Sequence, residues 1–468
     1  MSTENKTKTT GSVELKRELG LAAATAIVVG NVIGSGIFMS PASLAAATNP
    51  KSALLAWVIT AVGSLLIALS FANMGAAIPK TGGPIAYTRA AFGSFPAFLI
   101  AWTYWIGAWV GNAAIITAFM SYFTYFVPAL KDMPMACFLI CTGILWIFTL
   151  VNILGVKEAG MVGIVTTALK IVPLLVFIVL AALNFNSDLL NTASKPEFAP
   201  VNFGTVSAGI GIALWAFVGL ESATIPAGEI KNPEKNIRRS TIFGTLICAI
   251  IYILVSFFAM GSMDQATLAE SSSPLADVIN KAIGGTWGGT FIALGAVIST
   301  LGATSGWILT TARSGFAGAE GKLFPQIFGK VHPRFKTPYA SLIISGVAAN
   351  LLLILNYVNG LRAGFDFMIL LATLAFLPAY SFTAAAEIVL LKKGIKQFNF
   401  FNFIKSSFFA LLAFIYSIYA IYGTGQEVVM YGFLLMLVGI PFYVYQMLQN
   451  NKEDKMVDTL RQGAGLDV

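Results

Sequence analysis

Charge is scarce in this sequence. Of 468 residues, 11% are Asp, Glu, Lys or Arg and 57% are hydrophobic, whereas a soluble domain carries about 25% charged residues. Charge this sparse cannot cover a water-facing surface of this size, so a soluble protein is excluded. Histidine occurs once, as His332 in a loop beside Pro333, and no second imidazole exists to complete a His-based metal site. The three cysteines, Cys137, Cys141 and Cys248, fall inside apolar runs and read as small packing residues rather than disulfide or metal partners. There is no HExxH-type motif and no nucleophile–base pair, which argues against a membrane enzyme and calls for no cofactor. A channel would want a continuous filter of repeated carbonyls or charged rings, and a receptor would want a sensory domain or a long tail; neither is present.

What is present is a series of apolar runs, several longer than the ~18–20 residues that cross a bilayer. Twelve spans are expected, near 20–47, 53–78, 96–128, 134–155, 160–184, 206–229, 240–262, 286–312, 338–357, 364–391, 406–423 and 427–448. The first run is too long for a signal-peptide core and has no evident cleavage site, so it should remain as the first membrane helix. With twelve spans both termini share one side. Of the 29 Lys and Arg residues, 23 fall on that side, five on the other, and Lys170 lies within a span. By the positive-inside rule the tails, 1–19 and 449–468, are expected in the cytoplasm. The same rule accounts for the net charge of +8 without invoking nucleic acid. The loops Lys231–Arg239 and Arg313–Lys336 carry much of the positive charge, either as solvated faces that fix topology or as parts of a gate.

Chemistry is expected where the helices should fail. Gly30-Asn31-Val32-Ile33-Gly34-Ser35-Gly36 puts three glycines and a serine in the middle of span one. Each glycine lowers helix stability by ~1 kcal/mol relative to alanine. Unwound backbone at membrane depth is tolerated only where it lines a cavity or finds partners, so the run predicts either a broken helix at a binding site or tight packing of small residues. In span six, Trp215-Ala216-Phe217-Val218-Gly219-Leu220-Glu221-Ser222-Ala223 places a carboxylate and a glycine mid-membrane, where an ionisable group is costly and a functional candidate. Spans one and six open two five-span halves, and interrupted helices at matching positions of two halves point to a transporter site. Half-helix N-termini suit a substrate carboxylate, and freed carbonyls suit its ammonium. Lys170, between Leu169 and Ile171, is either a proton-coupling group, a fixed cation in place of a metal ion, or a lysine at the edge of a water-filled cavity. Tyr104 and Trp105, Asn112, Trp215 and Trp307 are core packing or walls of the site; an aromatic face holds an ammonium or guanidinium with up to ~2 kcal/mol.

Several stretches resemble the amino acid–polyamine–organocation superfamily, and within it the basic amino acid/polyamine antiporter branch typified by arginine–agmatine and lysine–cadaverine antiporters. They are GNVIGSGIF (30–38), KTGGPIAYTRAAFG (80–93), YWIGAWVGNAA (104–114), LWAFVGLESA (214–223) with AGEIKNP (227–233), and LGATSGW (301–307). The resemblance implies an all-α membrane protein of LeuT-like fold: a domain over 20–448 with inverted five-helix repeats at about 20–184 and 206–391 and two extra helices at about 406–448. It implies alternating access in the cell membrane and is compatible with a homodimer.

By the same resemblance, Asn31, Ser35 and Gly36 meet the substrate carboxylate and Trp215 is an aromatic lid. Trp307 is the second aromatic wall, Asn112 the polar contact from helix three, Tyr104 a tyrosine of the proximal gate, and Glu221 a gating glutamate. Helix ten departs from the arginine antiporter on an ungapped alignment at Pro378, with Leu371 and Ala379 where that protein has Ser and a gating Tyr. Lys170 departs toward proton-coupled relatives that also take neutral amino acids. The expected activity is therefore exchange of a cationic amino acid for an amine, with proton-coupled uptake of a neutral amino acid as the alternative; substrate, lipid and protons are the expected partners.

Overall fold

Backbone N–H and C=O groups in lipid must be satisfied within the segment, and a helix does this for any apolar run. The computed structural model describes residues 19–79, 82–155, 159–224, 230–354, 361–391 and 400–463, and these are almost wholly helical. In chain order the helices are α1 (Leu21–Val32), α2 (Gly36–Ala47), α3 (Pro50–Ala77), α4 (Pro84–Phe92), α5 (Ser94–Phe126), α6 (Pro134–Leu154), α7 (Ala159–Ala182) and α8 (Phe203–Trp215). They continue with α9 (Pro233–Ser262), α10 (Gln265–Glu270), α11 (Pro274–Ile283), α12 (Trp287–Glu320), α13 (Tyr339–Leu353), α14 (Leu361–Leu391), α15 (Phe400–Gly423) and α16 (Gln426–Gly463). Among the described residues, nine helical stretches are long and apolar enough to cross a membrane, α1 and α2 counting together, and three shorter apolar helices lie at 167–182, 203–215 and 339–353. The chain is thus a multi-pass membrane protein. The expected N-terminal tail lies outside the described residues apart from Leu19, as do 225–229 at the end of expected span six.

Helix starts follow local chemistry. Asn49 caps α3 by accepting from Ser52 N, with Pro50 in the first turn. Asn202 and Thr205 cap α8 reciprocally, side chain to backbone in both directions at 2.9 and 3.0 Å.

Burial shows which helices hold the centre. In α5, 89% of the most apolar window is buried inside the protein, against 11% in α16. α5 packs on α12 and α14, while α1, α3 and α7 pack on α9. Large apolar side chains cover the outside, among them Leu139, Ile147, Val179 and Phe409, each about 60% exposed. Water would not tolerate so much exposed apolar surface; lipid does.

Candidate functional site

Span one is interrupted. α1 ends at Val32, Ile33 leaves the helical region with ψ of 85°, and α2 begins at Gly36. A continuous helix would bond the carbonyls of residues 30 to 33 to the N–H groups of residues 34 to 37. Here side chains from three other helices take them. Lys170 Nζ donates to Gly30 O at 2.6 Å, Trp307 Nε1 to Asn31 O at 3.2 Å, Tyr252 OH to Val32 O at 2.9 Å and Ser299 Oγ to Ile33 O at 3.5 Å. Val32 O also receives Gly34 N at 2.9 Å. Lys170 is 3% exposed, so its ammonium lies inside the protein at the negative end of α1. α2 opens without a side-chain cap, which leaves first-turn N–H groups as donors toward the break.

Span six is interrupted beside it. α8 stops at Trp215, and a chain of tight turns follows: Phe217 N to Leu214 O, Val218 N to Trp215 O, Leu220 N to Phe217 O and Ser222 N to Gly219 O. Gly219 has φ of +107°, a conformation that side chains rarely adopt. The two breaks touch. A Cβ at Gly36 would lie 2.7 Å from Ala216 Cα, and one at Gly219 would lie 3.2 Å from both Asn31 O and the Trp307 ring. Asn31 Nδ2 donates across to Ser222 Oγ at 2.9 Å. Gly36→Ala should therefore force backbone from backbone, cost about 1–3 kcal/mol by overpacking, and lower the thermal unfolding midpoint of the detergent-purified protein.

Between the breaks lies a cavity of about 10 Å³, lined by Asn31, Ser35, Gly36, Ile115, Trp215 and Trp307 among others, room for roughly one water. Trp215 Nε1 donates to Ser35 Oγ at 3.3 Å. The structure thus brings five of the anticipated residues, Asn31, Ser35, Gly36, Trp215 and Trp307, to one cavity. Asn112 does not line it: its Nδ2 donates to Thr311 Oγ1 at 3.0 Å, and its buried Oδ1 has no hydrogen-bond partner among the described residues.

Tyr104 and Glu221 form a second cluster. Glu221 is fully buried and accepts from Tyr104 OH at 2.8 Å, Tyr380 OH at 3.0 Å and Gly219 N at 3.2 Å. Tyr104 lines a different small cavity, of about 30 Å³, with Gly82, Thr310 and Arg313. Phe376 connects the clusters, edge-on to Tyr104 at 4.8 Å and to Trp307 at 5.7 Å. Tyr380 was not anticipated. It follows Ala379, the position singled out on helix ten, and its hydroxyl reaches Glu221. Tyr252, Ser299 and Ser222 were also not anticipated, and a polar residue within an apolar run was their only signal.

A model of the family described as amino acid permease matches residues 19–443. The chain belongs to the amino acid permease family. Its similarity to an arginine/ornithine antiporter of Pseudomonas aeruginosa is 32% identity over 82% of this chain and 81% of that one. A putative arginine/ornithine antiporter of Bacillus subtilis is 31% identical over 94% and 99% of the two chains. An arginine/agmatine antiporter of Chlamydia pneumoniae is 29% identical over 93% and 91%. The permease also superposes on the crystal structure of a manganese transporter from Eremococcus coleocola, with a TM-score of 0.59 at 12% identity over 92% of this chain and 94% of that one. That likeness concerns the fold alone.

Proposed function

We propose that this permease is a secondary transporter that exchanges a cationic amino acid, of the arginine or ornithine type, for a related amino acid or amine by alternating access. The observation that carries the reading is the meeting of two broken helices at a cavity walled by Trp215 and Trp307. The first turn of α2 offers N–H donors to the substrate carboxylate. The carbonyls of Asn31 and Ile33 at the end of α1, each with a second lone pair beside one donor, suit the α-ammonium. The two indoles suit a cationic side chain. The relatives named above, arginine/ornithine and arginine/agmatine antiporters, support the same substrate class.

A cavity of about 10 Å³ cannot hold arginine, so loading requires the walls to part. In this reading nine long and three shorter apolar stretches make twelve spans, arranged as two inverted five-helix repeats plus two helices. Both termini lie in the cytoplasm, as the distribution of Lys and Arg supports. The Tyr104–Glu221–Tyr380 cluster then closes the cytoplasmic side, and Lys170 holds the end of α1 as a fixed or proton-exchanging cation.

Proteoliposomes loaded with unlabelled arginine, ornithine or agmatine should take up labelled arginine at least about tenfold faster than empty ones, the behaviour of an obligatory exchanger whose empty form reorients slowly. Equal uptake into loaded and empty vesicles without a pH gradient would overturn exchange.

A further inference from the structure

α12 runs from the central cavity to a second one. Trp307 lines the first. Further along the same helix, Thr310, Arg313 and Ser314 line the cavity of about 30 Å³, together with Tyr104 of α5 and Pro84 and Ile85 of α4. Arg313 is six residues past Trp307, roughly 9 Å along the helix axis. A short chain of contacts joins the two cavities. Tyr104 donates to Glu221, Glu221 holds Gly219 N, and a Cβ at Gly219 would lie 3.2 Å from both Asn31 O and the Trp307 ring. On α12 itself, Thr310 Oγ1 donates to Gly306 O at 3.0 Å, and a Cβ at Gly306 would lie 3.3 Å from Asn31 Oδ1. On the topology read above, the second cavity lies on the cytoplasmic side of the first.

Its surroundings suit negative charge. Arg313 is the one charged residue among the described residues that line it. The side chain is exposed and makes no hydrogen bond or ion pair among the described residues. α4 opens at Pro84 without a side-chain cap, so the positive end of its dipole also meets the cavity. The hydroxyls of Tyr104, Thr310 and Ser314 direct their protons to Glu221, Gly306 O and Thr311 O. That leaves the guanidinium as the lining side chain with donors to offer. The cavity has room for about two waters, and so for the two oxygens of a carboxylate, the group a guanidinium fork fits best. A cationic substrate meets a like charge here, and only its carboxylate offsets the repulsion. Arginine and ornithine carry one. Agmatine carries two positive groups and no carboxylate.

We propose that Arg313 is a cytoplasmic subsite for the substrate carboxylate, and that it makes an amino acid rather than an amine the preferred counter-substrate. The proposal rests on the transport reading above and deepens it by choosing between those two classes. An amine still exchanges at saturating concentration, but with a higher KM at the cytoplasmic face.

The test is arginine exchange in oriented proteoliposomes, with ornithine and agmatine titrated separately at the cytoplasmic face, for wild type, Arg313→Gln and Arg313→Lys. In wild type the KM for agmatine should lie about tenfold above that for ornithine, the usual worth of a hydrogen bond to a charged group. Arg313→Gln should raise the ornithine KM about tenfold, leave the agmatine KM unchanged or lower, and so abolish the preference. The outer-face KM for arginine should stay within about twofold. Arg313→Lys keeps the charge and should keep a preference of at least about threefold; if the Gln variant does not insert, the wild-type ratio and the Lys variant carry the test. A wild type that takes agmatine as readily as ornithine overturns the subsite and leaves exchange standing. So does a Gln variant in which both KM values move together or neither moves, because a residue that only anchors the helix cannot tell the two ligands apart. A Lys variant with no preference overturns it as well. A wild type that exchanges no cationic amino acid defeats the transport reading, and the subsite with it.

Discussion

Lys170→Ala should lower arginine exchange by about 100-fold while the protein still inserts and purifies. The side chain contributes two things at one atom. Its Nζ donates to Gly30 O at 2.6 Å, and its charge stands at the carbonyl end of α1, where a cation is favoured by the helix dipole. Hydrogen bonds from charged groups contribute roughly 1.5–3 kcal/mol, and a buried carbonyl left without its donor costs about 1–3 kcal/mol more. The loss falls on the break itself, because Gly30 directly precedes Asn31, whose side chain and carbonyl hold Ser222 and Trp307. Lys170→Met keeps the apolar stem and should be nearly as poor, which separates charge from packing. Initial exchange rates at saturating arginine measure the effect. Wild-type rates in Lys170→Met would show that the ammonium does not organise the break.

Trp215→Ala should be the second large loss. Trp215 is the last helical residue before the turns of 216–221 and lies 7% exposed over the cavity. Its indole reaches Ser35, and its ring rests against Gly111, where a Cβ would come within 2.9 Å of Cη2. A cation–π contact in a dry site is worth about 2 kcal/mol, which corresponds to roughly a 30-fold weaker affinity. Trp215→Phe keeps an aromatic face without the N–H and should lose only a few-fold. Competition binding of arginine to the purified protein, with a neutral analogue of the same length alongside, isolates the cationic part. The Ala variant should weaken arginine much more than the analogue. Equal weakening of both would assign Trp215 to packing alone.

The positions of the two breaks were legible in the sequence because glycine and mid-membrane charge are costly in a helix. The clusters 30–36 and 215–223 could not form ordinary turns without a compensating reason. The break in span one is tighter than the glycine cluster, covering 33–35, since Gly30 still fits inside α1. The break in span six is a run of tight turns rather than a single gap. Lys170 and Glu221 were legible for the same reason, as isolated charges in apolar runs.

Their partners were not legible. Tyr252 and Ser299 meet Val32 and Ile33 across 220 and 266 residues of chain, and nothing local to those side chains marks the contact. The resemblance places Tyr104 at a gate beside the substrate. Which face of a helix a residue presents depends on packing, and packing turns its hydroxyl to Glu221. Tyr380 lies one residue past Ala379, and one residue rotates a helix position by about 100°.

The most direct measurement is an electron cryo-microscopy map of the protein with saturating arginine. The expected result is ligand density between residues 30–36 and 215–223, its carboxylate at the first turn of α2 and its guanidinium against Trp215 or Trp307. Density elsewhere, with the two breaks still closed on a cavity too small for the ligand, would contradict a site between the broken helices.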